Sequence, residues 1–96
     1  MTAYVIAQLT VTDPEGFEAY RQAAHPVVEA YGGRFLVRGG TISALEGEPG
    51  RPSVIVLEFP DKAAAERFYN SPEYRAILPM RLSTATGTVI VVEGGV

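Results

Sequence analysis

Apolar and polar positions in this chain alternate with two different periods, and the switches between them mark out its elements. Residues 4–11 (Y-V-I-A-Q-L-T-V) are apolar on both alternating faces, broken only by Gln8 and Thr10, and predict a central strand. Asp13-Pro14-Glu15 then supplies an N-cap, a proline at the first helical position and an acid in the first turn. Phe17, Tyr20, Ala24, Val27, Val28 and Tyr31 follow at helical spacing until Gly32-Gly33 ends the run. A kink is expected at Pro26, which has no N–H to donate. Residues 34–38 predict a short strand. Gly39-Gly40 then reads as a bulge within one bent strand that resumes over residues 42–45. A turn at residues 48–52 leads into residues 53–59, the most β-prone run of the chain, which should pair back as a hairpin. Residues 61–69 predict a short helix with Ala64, Ala65 and Phe68 inward. Ser71-Pro72-Glu73 restarts a helix whose stripe is Tyr74, Ile77, Leu78 and Leu82, with a second kink at Pro79, and residues 88–93 form a last strand.

The resulting order, β-α-β-β-α-β, is the ferredoxin-like α+β pattern: a four-stranded antiparallel sheet with helices on one face. An antiparallel sheet with one wet face should alternate apolar with polar, yet residues 4–11, 53–59 and 88–93 are apolar on both faces. Some six to eight large side chains would then sit on the uncovered face, each worth roughly 1.5–3 kcal/mol when buried. That is a larger exposed patch than soluble monomers usually carry. The pattern predicts a homodimer packed through the sheet face.

Composition narrows the function classes. Ninety-six residues, 47% hydrophobic and 20% charged, fit one globular domain spanning residues 1–96, with no disordered stretch. A formal charge of −3 and scattered Lys and Arg argue against a nucleic-acid partner. No apolar run approaches the roughly 20 residues that span a bilayer, and the start shows no leader pattern, so a cytoplasmic location is the expectation. With no cysteine, thiol chemistry and Cys-ligated metals are excluded. With a single histidine, a multi-His metal site within one chain is excluded too. No cofactor-binding motif is present: the Gly32-Gly33 and Gly39-Gly40 pairs lack the residues and strand-to-helix context of a phosphate loop.

Three sets of side chains carry candidate chemistry. Glu58 is an acid within an apolar strand and needs a partner, and the hairpin should bring Arg38 to it. That pair either fixes hairpin register and the dimer face or orients a ligand's carboxylate or carbonyl. His25, beside Pro26 and next to the buried stripe, would serve as a general base if it faces inward, and is a surface group otherwise. Tyr20, Tyr69, Tyr74 and Arg81 lie on helical faces turned toward each other, with Tyr74 and Arg81 two turns apart on one helix. Either they converge on a small aromatic or carboxylated molecule, or the rings are core filler and Arg81 reaches solvent. Ser71 is a helix cap: it lacks the turn and the base that a nucleophile requires.

The segments Tyr31-Gly32-Gly33-Arg34, Val37-Arg38-Gly39-Gly40, Leu45-Glu46-Gly47, Glu58-Phe59-Pro60, Phe68-Tyr69-Asn70-Ser71-Pro72-Glu73-Tyr74 and Val92-Glu93-Gly94 resemble, in order and spacing, the family known as domain of unknown function 1330 (DUF1330). The resemblance runs from about residue 4 to residue 94. It implies the dimeric α+β barrel superfamily, whose members include cofactor-free monooxygenases, isomerases, decarboxylases and haem enzymes, so no single reaction follows. After Glu46-Gly47 many relatives carry an acid, an aromatic and a proline, where this chain has Glu48-Pro49-Gly50, so no role is carried over for that loop. Two functional expectations result. One is a small cofactor-independent enzyme acting on an aromatic or carbonyl/carboxylate metabolite, with Arg38 or Arg81 orienting an oxyanion and His25 or a tyrosine assisting proton transfer. The other is a non-catalytic ligand-binding or stress-related dimeric module.

Overall fold

A computed structural model of the protein describes residues 1–94. Its elements are β1 (Ala3–Val11), α1 (Pro14–Ala30), β2 (Arg34–Arg38), β3 (Ser53–Phe59), α2 (Lys62–Tyr69), α3 (Pro72–Leu82) and β4 (Ala85–Glu93). The strands form one sheet in the order β2-β3-β1-β4 with every neighbouring pair antiparallel, a ferredoxin-like α+β fold. Each predicted helix start is capped as its sequence requires. The Asp13 carboxylate accepts from the Gly16 N–H at 3.1 Å and the Asp61 carboxylate from the Ala64 N–H at 2.7 Å. Ser71 Oγ accepts from the Tyr74 N–H at 3.1 Å and donates to the Phe68 carbonyl at 2.7 Å, so its role is spent on the α2–α3 corner.

Alternation along the central strand sorts the sheet into two faces. Val5 lies between Leu57 and Val91, on the side where the helices pack and where Leu9, Phe59 and Val28 are almost wholly buried. Ile6 lies between Val56 and Ile90 on the opposite side. There Val37, Ile90 and Val92 remain 42–50% exposed, because no element covers that face. Principal extents of 35 × 32 × 16 Å describe a slab with room for one sheet and one helical layer.

Several expectations need correction. Residues 42–45 do not resume a strand; residues 39–52 form an exposed loop without regular structure. The bulge falls inside β2, between Phe35 and Val37, rather than at Gly39-Gly40. β4 begins at Ala85, earlier than the predicted residue 88, because Gly87 lets the strand pass close to β1: its φ is 151°, and a Cβ there would stand 1.9 Å from the Gln8 carbonyl oxygen. Leu82 is exposed, and the inward face of α3 is Tyr74, Leu78 and Arg81 instead. Pro26 and Pro79, where kinks are expected, lie inside α1 and α3, and neither helix ends at its proline.

Candidate functional site

Tyr20 and Ala24 face the sheet from α1, and Tyr74 and Arg81 face it from α3, the helix that packs against α1. Between them and the helix-side face of the sheet is a cavity of about 50 Å³, lined on the sheet side by Val5, Ala7, Leu9, Ile55 and Leu57 and on the helix side also by Phe68 and Tyr69. Three of the polar groups lining this chamber are linked by hydrogen bonds. The Tyr20 and Tyr74 hydroxyls are 2.7 Å apart, and Arg81 Nε–H donates to the Tyr74 hydroxyl at 3.2 Å. Tyr69 stands 5.5 Å from Tyr74, centroid to centroid, and carries Arg75 over its ring.

Proton counting shows what the cluster offers. Two hydroxyls bring two hydrogens, and their mutual bond uses one, so one O–H is left to donate whichever way that bond points. Burial pushes the Tyr20 hydroxyl well above the ordinary tyrosine range; the Tyr74 hydroxyl beside it adds to the shift and Arg81 opposes it more weakly. Tyr20 is therefore held as a neutral donor and acceptor.

Arg81 is the most unusual group in the site. It is only 7% exposed, its one side-chain hydrogen bond among the described residues goes to Tyr74, and it forms no ion pair. A buried guanidinium normally sits with a carboxylate, because the unpaired charge is expensive. No fully buried side-chain nitrogen or oxygen lacks a partner among the described residues. The terminal nitrogens of Arg81 therefore keep access to space, and its free N–H donors and positive charge have no acceptor among the described residues.

The other candidates are not in this chamber. Arg38 does not meet Glu58: it pairs in register with Ile55, and the bulge places it on the helix side, with its guanidinium 4.8 Å from the centre of the Phe35 ring. Glu58 lies on the open face and takes Arg34 as its partner at 2.6 Å. His25 is 39% exposed, stacks on Phe35 at 5.2 Å and lies 3.3 Å from Glu29, so it faces an outer groove. That groove, of about 230 Å³, runs between α1 and β2 and is lined by Glu18, Arg21, Gln22, His25, Phe35 and Arg38. Arg21 and Phe35 line the inner cavity as well. Sequence reasoning overlooked both, along with Arg34. Arg21 was detectable as the neighbour of Tyr20 one turn before His25; Phe35 and Arg34 required the register of the β2–β3 hairpin. Among the described residues no group of three or more Asp, Glu or His could hold a metal ion. No helix among them is long and apolar enough to cross a membrane.

Fold and site together define a small ferredoxin-like protein with an arginine–tyrosine cluster between its helices and its sheet. The chain belongs to the family described as domain of unknown function (DUF1330), whose model matches residues 2–95. Among solved structures it is similar to the RPA0582 protein of unknown function from Rhodopseudomonas palustris: TM-score 0.77, 20% identity, covering 97% of this chain and 82% of that one. It is also similar to SnoaB, a cofactor-independent oxygenase from Streptomyces nogalater: TM-score 0.65, 14% identity, covering 98% of this chain and 93% of that one. A dimeric ferredoxin-like protein of unknown function from Jannaschia sp. CCS1 aligns with TM-score 0.65 and 16% identity, covering 98% and 100% of the two chains. No curated protein is matched by the sequence. At these identities the structural likenesses speak to the fold.

Proposed function

We propose that this protein binds a small organic anion, a carboxylate or an ionised enol or phenol, with the negative group at Arg81 and the Tyr20–Tyr74 pair. The observation that carries the reading is the buried guanidinium with no carboxylate partner among the described residues, set in a cavity walled largely by apolar side chains. An anion there would accept from the terminal N–H groups of Arg81 and from the spare tyrosine O–H, and apolar walls would strengthen both contacts. Arg81→Met tests it. A guanidinium kept for a ligand is a liability in the empty protein, so the variant should melt at or above the native temperature. A guanidinium kept for structure would instead lower it on removal. With benzoate at about a hundred times its Kd, the native chain should gain roughly 2.7 kcal/mol. The variant should gain nothing, and a benzoate shift that survives in it would sink the proposal.

One feature favours a catalytic use of the same cluster. Arg81 and a neutral tyrosine O–H are the donors that an oxyanion needs, and such donors are worth most in a dry site. Among the described residues neither a carboxylate nor an imidazole lines the inner cavity, so this chain would act on a molecule that ionises readily by itself and would stabilise its enolate or phenolate. The likeness to a cofactor-independent oxygenase supports that direction by analogy of fold. Oxygen uptake during the benzoate titration, repeated with acidic phenols and diketones, separates turnover from binding.

We further propose that a second copy covers the open face of the sheet. Ile6, Val37, Val54, Val56, Ile90 and Val92 make it apolar, and the Arg34–Glu58 pair and a rim of Thr10, Thr86 and Arg51 frame it. The fold-level neighbour from Jannaschia is itself described as dimeric.

A further inference from the structure

The inner cavity is too small for the molecule its chemistry invites. At about 50 Å³ it has room for a few waters, each needing about 10–15 Å³ on this measure, and hence for a carboxylate and little more. Small-molecule sites typically enclose about 300–1,000 Å³. The space for the rest of a ligand is next door: the 230 Å³ groove between α1 and β2 adjoins the cavity, and Phe35 and Arg21 line both.

Phe35 forms the partition, and the bulge in β2 gives it its surroundings. Without the bulge, alternation would put residues 35 and 37 on the helix side. With Leu36 as the extra residue, Val37 pairs with Val56 on the open face and Arg38 joins Phe35 on the helix side. A stack is thereby built: the His25 ring lies parallel to the Phe35 ring with centroids 5.2 Å apart, and the Arg38 guanidinium lies over the Phe35 ring. The groove's charges do not cancel. Glu18 is within 3.4 Å of Arg21 and Glu29 within 3.3 Å of His25, whereas Arg38 makes no ion pair among the described residues, so its guanidinium is the uncompensated charge of the groove.

We infer that the α1–β2 groove is the outer half of the binding site, and that the ligand class is a planar diacid. Its first anionic group enters the inner cavity to Arg81, its ring lies in the groove beside the His25–Phe35 stack, and its second anionic group meets Arg38. This rests on the anion-binding reading of Arg81 and deepens it by assigning Arg38 as the residue that selects for a second charge.

The test compares ortho, meta and para benzene dicarboxylates with their monomethyl esters, which keep the size and remove one charge, by titration calorimetry at low salt. In the native chain at least one diacid should bind about two- to fivefold tighter than its ester, the upper part of the range for an exposed charge pair. Arg38→Glu and Arg38→Gln should erase that ratio and leave ester affinity within about twofold, while Arg81→Met should weaken both ligands. Equal binding of every diacid and its ester by the native chain would overturn the inference and leave the Arg81 reading intact. A ratio that persists in the Arg38 variants would overturn it as well. Diacid binding that depends on Arg38 and ignores Arg81 would support the outer subsite and overturn the inner one. No binding of either ligand would overturn both.

Discussion

Tyr20 shows how one side chain in this protein serves packing and chemistry together. Its ring belongs to the buried stripe of α1, 5.5 Å from Phe17 and edge-on to Tyr74, and its hydroxyl is the end of the cluster farthest from Arg81 along the hydrogen-bond chain. Because burial raises its pKa, the sign of its pH dependence is fixed. Below the ordinary tyrosine value of about 10 the hydroxyl is protonated in both the folded and the unfolded chain and adds no slope. Above it the unfolded chain loses the proton and the folded chain retains it, so stability falls by up to about 1.4 kcal/mol per pH unit from this residue. Tyr20→Phe should cost about 1 kcal/mol at pH 7, through the lost hydroxyl pair, equivalent to roughly 4–8 °C in Tm. It should also flatten the loss between pH 9 and pH 11, read as urea midpoints at fixed protein concentration. An unchanged alkaline slope in the variant would show that the Tyr20 proton is not what holds. At this scale the sequence was informative about identity and silent about pairing. The spacing of Tyr74 and Arg81 on one helix face was visible, whereas the absence of a carboxylate near Arg81 needed every neighbouring element in place.

The strands and helices were legible wherever period and caps agreed: Asp13-Pro14, Asp61 and Ser71-Pro72 each start a helix where the pattern puts one. Legibility failed where a single backbone geometry decides. A glycine pair and a plain leucine are both able to host a bulge, and the glycines at 39 and 40 drew the assignment away from Leu36. Because residues 39–52 are loop rather than a continued strand, the hairpin register puts Glu58 opposite Arg34 instead of near Arg38, and the one-residue bulge then turns Arg38 to the helix side. Gly87 is the opposite case, a glycine whose necessity appears only when β1 is beside it. Adding a methyl there forces a clash with the Gln8 backbone at a φ that L-residues avoid. Gly87→Ala should therefore cost more than about 2 kcal/mol, well above the 0.5–1 kcal/mol that replacing a strand glycine would otherwise gain. Denaturant unfolding measures the loss. Amide exchange should localise the change to the β1–β4 pairs around Leu9, and a variant as stable as the native chain would mean that β4 begins after Gly87.

For the whole molecule the decisive quantity is the apolar area on the uncovered side of a slab 16 Å thick. Both faces of β1, β3 and β4 are apolar, which the sequence displayed as strands without alternation, and the helices satisfy one face only. Ile90 is the sharpest probe of the other. It pairs with Ile6 across β1, is half exposed, and lies on the side away from the arginine–tyrosine cavity. A lysine there keeps the strand backbone and adds a charge that a second copy would have to bury against apolar side chains. Interface charges of that kind typically cost several kcal/mol when unpaired. Light scattering at micromolar concentration should give the native chain about twice its 10.3 kDa and Ile90→Lys about 10.3 kDa. The native melting temperature should rise with protein concentration and the variant's should not, since only an associating protein has a concentration-dependent Tm. Benzoate binding separates the two layers of the protein. If the cavity is built within one chain, as its lining is, the Ile90→Lys monomer should retain the native affinity to within a few-fold as long as it stays folded. A native chain that is monomeric in this concentration range would remove the second copy as the cover of this face. A folded monomeric variant that has lost its ligand would mean that the sheet-to-sheet contact holds the cavity open from behind.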